Sequence, residues 1–266
     1  MVLFLLPVAA VGVGAAGIAL VVLRRRGSPP KLEDALKLST LGLPRGMKQE
    51  TSLDAKAREA MYHAFMTGSD FQWISTKPGE TKYDEGTLYK ISAYMITCVI
   101  TFSEKYGYIL VQRDPETGEF QGSIALIPPY KSWAFREAQF LLSVIPLGQP
   151  VPRELGCGDR FDKFVQIDKK HEELLKTKLK DQSSKSWHVQ NLAVSPDHQG
   201  KGIGRKLLEA ARRLCAANGG SLYLECHDEN FPFYDKMGYE RLERFPLSDE
   251  KDGPYYYNAM LLTGKA

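Results

Sequence analysis

The stretch from Trp187 to Cys226 constrains the chain more than any other part of it, because it joins strand, glycine turn, helix and strand in one short span. Trp187-His188-Val189-Gln190-Asn191-Leu192-Ala193-Val194 reads as a strand, and Ser195-Pro196-Asp197-His198 turns the chain. Gln199-Gly200-Lys201-Gly202-Ile203-Gly204 then opens an amphipathic helix with Ile203, Leu207, Ala211 and Leu214 on one face. Asn218, Gly219 and Gly220 end that helix, and Ser221 to Cys226 forms the next strand. Glycines without a Cβ let backbone approach a ligand closely, and the first amides of a helix have no internal acceptor. These amides sit at the positive end of the helix dipole, so the junction is suited to an anion, with Lys201 and Arg205 adding charge beside it. It is not a P-loop, which needs GxxxxGK[ST]. Nor does it match the dinucleotide pattern GxGxxG, because Arg205 stands where the third glycine belongs. By itself the turn is equally compatible with a plain strand-to-helix connection.

Its surroundings decide between these. Gln199 to Gly204 fits Q/R-x-x-G-x-G/A. Downstream, Asn230-Phe231-Pro232-Phe233-Tyr234-Asp235-Lys236-Met237-Gly238-Tyr239 fits N-x-x-x-FY-x-x-x-GF/Y. Together, in this order and spacing, residues 186–245 resemble the GNAT superfamily of acetyl-CoA-dependent N-acetyltransferases, with wording closest to its puromycin-acetyltransferase-like branch. The resemblance implies an α/β fold: a mixed, mostly antiparallel central sheet flanked by helices. It implies that the amides of Gly200, Lys201, Gly202, Ile203, Gly204 and Arg205, preceded by Gln199, hold the pyrophosphate of acetyl-CoA. It also implies that the backbone of Leu192, Ala193 and Val194 pairs with the pantetheine arm in a gap where this strand splays from the next.

The resemblance further implies that Tyr234 is a general acid that protonates the departing thiolate. Pro232 suits the first turn of its short helix, and Gly238 the C-terminal cap. Asn230 lies four residues earlier and so shares a face with it, orienting cofactor or loop, or simply capping the helix. Two residues compete for general base. His188 sits five residues before Ala193, where the family often places a catalytic Glu or His, and a histidine titrates near pH 6.5. Glu225 lies on the following strand, where Tyr223, Glu225 and His227 share one face and Leu222, Leu224 and Cys226 the other. His63, His171 and His198 show no interpretable arrangement. The expected reaction is direct attack of a primary amine on the acetyl thioester in a ternary complex. A non-catalytic CoA sensor, or transfer of another acyl group or to a hydroxyl, are the rival classes. No metal-ligand set is visible.

The rest of the chain bounds these readings. Its 266 residues suffice for one well-buried domain from about Gly46, and a net charge of +3 without a basic stripe argues against nucleic acid as a partner. The four cysteines form no CxxC pair and read as reduced thiols. A helix is expected from Ser52, a second over Asp84 to Phe102, and a hairpin of Tyr106 to Gln112 with Phe120 to Ile127. Lys131 to Ser184 is expected to be helical with breaks at its prolines. Asp159 to Lys180 reads as a surface helix with a solvated charged face. This insertion and the early helices are the segments that would shape an acceptor pocket.

The N-terminus departs from the average. Val2 to Leu23 carries no charge and is followed by Arg24, Arg25 and Arg26. As a helix it would span roughly 33 Å, enough for a hydrocarbon core of about 30 Å. A signal peptide places its positive charge before the apolar run, whereas here the charge follows. The expectation is an uncleaved single-pass membrane anchor over residues 1–26, a linker over 27–45, and a cytosolic catalytic domain over 46–266.

Overall fold

A computed structural model describes residues 42–129, 133–148, 150–179, 185–247 and 256–263. The expected anchor, residues 1–26, and most of the linker lie outside the described residues. Among the described residues, no helix is long and apolar enough to cross a membrane.

Seven strands form one sheet: β1 Met47–Glu50, β2 Tyr108–Arg113, β3 Phe120–Ile127, β4 Ser186–Val194, β5 Ser221–His227, β6 Glu240–Pro246 and β7 Tyr256–Leu262. Their spatial order is β1-β2-β3-β4-β5-β7-β6. Every neighbouring pair is antiparallel except β4 with β5. The sheet is therefore mixed and mostly antiparallel, as expected. β1, β6 and β7 are additions to the sequence reading. Short strands with weak alternation, such as the exposed Glu240–Pro246, leave little periodic signal.

Helices cover both faces. On one face, α8 (Ile203–Ala217) buries Ile203, Leu207, Ala211 and Leu214 against Leu110, Ile124, Val189 and Leu224. The other face carries α1 (Ala55–Met66), α2 (Ser69–Ile74), α3 (Glu85–Tyr106), α4 (Trp133–Val144), α5 (Val151–Glu154), α6 (Gly158–Phe164) and α7 (Gln166–Thr177). Its core includes Met61, Phe71, Ile91, Ile100, Ile109 and Tyr223. The short α9 (Phe231–Lys236) follows β5. Asp54 and Asp84 cap α1 and α3 by accepting from the amides of Ala57 and Thr87, at 2.8 and 2.7 Å. α1 thus begins three residues after the expected Ser52. α3 runs on to Tyr106, so β2 starts at Tyr108 rather than Tyr106. All four cysteines are buried and unbridged.

The expected surface helix over Asp159 to Lys180 needs correction. It is two helices, α6 and α7, meeting at Val165, and part of its polar face is buried. Arg160 donates to the Trp73 carbonyl at 3.0 Å, and its guanidinium lies over the Trp73 ring. His171 is buried among β4 and β5 side chains.

Candidate active site

The site arises where the sheet comes apart. β4 and β5 pair only at Ser186–Ser221, Trp187–Leu222 and His188–Tyr223. Beyond His188 the two strands have no ladder between them, the splay that the resemblance implies. A β-bulge adds to it. The register of β4 against β3 shifts between Ala125 and Leu126, leaving Gln190 without an opposite residue. The extra residue reverses the alternation of β4. Trp187 and Val189 point into the α8 core, and so do Leu192 and Val194, while His188 and Ala193 face the other side. A cavity of about 320 Å³ occupies the gap, lined from one sheet face by Leu224, Cys226 and Tyr234 and from the other by Glu225, His227 and Asp70. It joins the two faces through the opening between the strands.

At the outer end lies the glycine turn. Gly200 and Gly202 adopt φ of +74° and +77°, a left-handed region costly for other residues, and nothing lies within 4 Å of where their Cβ atoms would be. Gly202 occupies the N-cap position of α8, and no side chain caps the helix. The amides of Ile203, Gly204 and Arg205 are therefore the first of the helix and lack intrahelical acceptors. The Ile203 side chain turns into the core, so only its backbone faces the turn. Gln199 Nε2 donates to the Val194 carbonyl at 3.4 Å, and Lys201 Nζ to the Asp197 carbonyl at 2.8 Å, which closes the turn. Arg205 is exposed. Open space above unpaired amides, with cations around it, fits the phosphates of a CoA.

On the α9 side, Asn230 and Tyr234 both line the cavity. Pro232 lies in the first turn, and Gly238 adopts φ +85° just after the helix, as the sequence suggested. Tyr234 packs edge-on against Tyr239, at 5.6 Å between centroids, and among the described residues its hydroxyl has no hydrogen-bond partner. Burial raises its phenol well above the usual value, so it stays protonated and able to donate.

On the opposite side, Glu225 and His188 meet in a buried network with His171, which sequence reasoning missed. Glu225 is not an exposed glutamate: its side chain is 7% accessible. It accepts from His171 at Nδ1 (2.6 Å) and from His188 at Nε2 (2.8 Å). Arg136 Nη2 lies 3.1 Å from His188 Nδ1 and donates to Gln190 Oε1 at 2.9 Å. A guanidinium only donates, so His188 Nδ1 is an acceptor and its proton sits on Nε2, toward Glu225. Both ring nitrogens of His188 are thus committed. Burial works to raise the Glu225 carboxyl, but the two imidazoles override it and hold it well below its usual value. Burial lowers His171 to about 4, so it is neutral.

The sequence showed no metal-ligand set, yet the structure brings His171, His188 and Glu225 together, with candidate ligand atoms within 4.8 Å of one another. Their short mutual hydrogen bonds satisfy the trio without an ion. No periodic signal marks His171, which lies on a polar helix 54 residues before Glu225. His63 and His198 are on the surface side of the fold and do not join this network.

The cavity is closed by the segments expected to shape an acceptor pocket: Phe71 and Tyr94 from α2 and α3, and Phe140, Phe161, Phe164 and Asp168 from α4, α6 and α7. Asp168 lines the cavity, and burial raises its carboxyl against the pull of Arg136, 3.7 Å away.

Comparison with known proteins adds partial likenesses to this geometry. Residues 165–241 match the family profile described as acetyltransferase (GNAT) domain. An uncharacterized N-acetyltransferase of Schizosaccharomyces pombe is 39% identical over 62 residues, 23% of this chain and 25% of the relative. Glucosamine 6-phosphate N-acetyltransferase of the same yeast is 36% identical over 55 residues, 20% of this chain and 50% of the relative. The matches thus span about a quarter and a half of these curated relatives. Among solved structures, the ribosomal-protein-S18-alanine N-acetyltransferase from Escherichia coli aligns with 81% of this chain and 92% of its own, at 16% identity and a TM-score of 0.36. An aminoglycoside 6'-N-acetyltransferase complexed with coenzyme A aligns with 81% of this chain and 96% of its own, at 12% identity and a TM-score of 0.41. Likenesses this loose transfer no substrate.

Proposed function

Because this chain carries a GNAT acetyltransferase domain, we propose that it is an acyltransferase that moves an acetyl group from acetyl-CoA to a primary amine by direct attack in a ternary complex. The observation that supports this most is the cavity that enters the gap between β4 and β5 with the hydroxyl-bearing Tyr234 and Leu192 on its wall, the latter lying against Gly204 of the glycine turn. Acetyl-CoA supplies an activated thioester. The amides of Gly200 to Arg205 bind its pyrophosphate. The unpaired β4 edge at Leu192 to Val194 binds the amide groups of its arm, as an added strand would. Tyr234 donates its phenolic proton to the leaving sulfur. A thiol near pKa 8.5 is a fair leaving group, so this help is modest, within about 10²–10⁴-fold.

His188 and Glu225 act as positioning residues in this reading rather than as the base. His188 has no open ring nitrogen, and a carboxylate held well below its usual value is a weak proton acceptor. The Glu225 carboxylate adds negative charge to the acceptor side of the cavity, which favours entry of an ammonium. Residues 2–23 are proposed to tether the domain to a membrane with the catalytic side in the cytosol; the uncharged run and the arginines that follow it support this.

The test is release of CoA thiol from acetyl-CoA with a panel of amines, paired with calorimetric binding of CoA. Wild type should bind CoA and turn over at least one amine. Tyr234→Phe should keep CoA affinity and lose roughly 10²-fold in kcat. Gly202→Glu places a carboxylate where phosphate docks and should abolish binding. CoA binding with no turnover of any amine would identify a sensor instead.

A further inference from the structure

The acceptor side of the cavity is largely carbon, with the aromatic rings of Phe71, Tyr94, Phe140, Phe161, Phe164 and Tyr257. Its carboxyl groups are Asp70, Asp168 and Glu225, and among the described lining residues there is no lysine or arginine. Glu225 is engaged by two imidazoles, and Asp168 faces Arg136. Asp70, in the first turn of α2, differs from both. It accepts from the Tyr257 hydroxyl and from the Phe71 amide, and among the described residues it has no lysine or arginine partner. The other ionisable group facing it is His227 of β5.

A second observation points to a ligand. Asn191 lies on the splayed part of β4, is 8% exposed and lines the same cavity, yet among the described residues neither its Nδ2 nor its Oδ1 has a hydrogen-bond partner. Native proteins rarely leave a buried amide wholly unpaired, because each lost hydrogen bond is costly.

We infer that the acceptor is an apolar primary amine without an anionic group, that Asp70 meets its ammonium and takes one proton from it, and that Asn191 orients the resulting nitrogen. This rests on the acetyltransferase reading above. A carboxylate or phosphate on the acceptor would be buried beside three acids, with the nearby Arg136 already turned to Asp168, His188 and Gln190, whereas rings and an ammonium suit aromatic walls. The protons balance. An N–H bond of the ammonium breaks as an O–H bond forms on Asp70. The freed lone pair makes the C–N bond while the C–S bond breaks, and Tyr234 protonates the sulfur. The new amide sheds its extra proton, which restores Tyr234, and Asp70 returns its own to solvent. Burial raises the Asp70 carboxyl, against the Tyr257 and Phe71 hydrogen bonds and the nearby His227, so its affinity for a proton moves toward that of the amine.

The test uses the full-length protein and a matched pair of acceptors, 2-phenylethylamine and phenylalanine, with glucosamine 6-phosphate as a third. CoA release should favour 2-phenylethylamine by about 10²-fold or more in kcat/KM. Asp70→Asn should lose about 10²-fold at pH 7, and the deficit should shrink toward pH 9.5, where the amine sheds its proton unaided. A deficit constant with pH would mean that Asp70 takes no proton. Asn191→Leu should weaken calorimetric binding of 2-phenylethylamine to the CoA-loaded protein while raising the melting temperature, because an unpaired amide is replaced by an apolar group of similar size. If binding is unchanged, Asn191 does not touch the acceptor. Equal use of phenylalanine or glucosamine 6-phosphate overturns the inference and leaves acetyl transfer standing. CoA binding without release on any amine overturns acetyl transfer and the inference with it.

Discussion

Glu225 and its two histidines make stability depend on pH in a calculable direction. His171 is lowered by burial from its ordinary value of 6.5 to about 4. Between these values the unfolded chain binds a proton that the folded one refuses. Stability contributed by neutral His171 is therefore complete above pH 6.5 and is lost as pH falls toward 4. The shift is worth about 3 kcal/mol. Glu225 then adds a further loss at lower pH, since a carboxyl held below its usual value is stabilising only while ionised. Urea midpoints measured from pH 7.5 to 4 should decline through this window, and His171→Gln should flatten the decline between 6.5 and 4. A flat wild-type curve would show that the network carries no such charge. At this scale the sequence was half legible. Tyr234, Glu225 and His188 were visible because motif and strand alternation place them. His171 and Asp70 were not: His171 lies on a polar helix and Asp70 on a single short turn of helix, and distant packing decides the burial of both. Arg136, which fixes the His188 tautomer, is equally silent in sequence.

At the scale of elements, the cleft depends on how tightly β4 and β5 are drawn together at their first residues. Gly220 makes this possible. A Cβ there would lie 2.6 Å from the Lys185 carbonyl oxygen and 2.8 Å from the Trp187 ring. Backbone and a buried indole cannot yield cheaply, so Gly220→Ala should destabilise by about 1–3 kcal/mol in chemical denaturation, with CoA affinity reduced as the strand pair opens. An unaltered midpoint would show that the contact is soft. The strands and helices nearest the site were readable because their signals are local: the 3.6-residue stripe of α8 and the alternation of β5. The bulge at Gln190 was not. One additional residue in a strand leaves no mark in hydropathy, yet it decides that Asn191 and Ala193 leave the side that Trp187 and Val189 occupy. The sparse apolar pattern of α6 and α7 was likewise misread as a solvated surface, because it does not reveal which polar residues find partners indoors.

For the molecule as a whole, the proposed tether predicts that residues 1–26 fused to a reporter send it to membranes with its C-terminus cytosolic. A soluble or lumenal reporter would refute it. The sheet carries a further consequence. Four strands, β1 to β4, and three, β5 to β7, are laced together by only three residue pairs, all at one end. Mechanically this is a book with a short spine. A molecule slipped between the open pages and bonded to the free margin of β4 acts as a suture, so cofactor capture and cohesion of the two halves become one event. Saturating CoA at a hundred times its Kd should add about 2.7 kcal/mol to stability. Amide exchange should slow most along residues 189–194 and 224–227, the margins that face each other across the gap, and much less in β1 or β6.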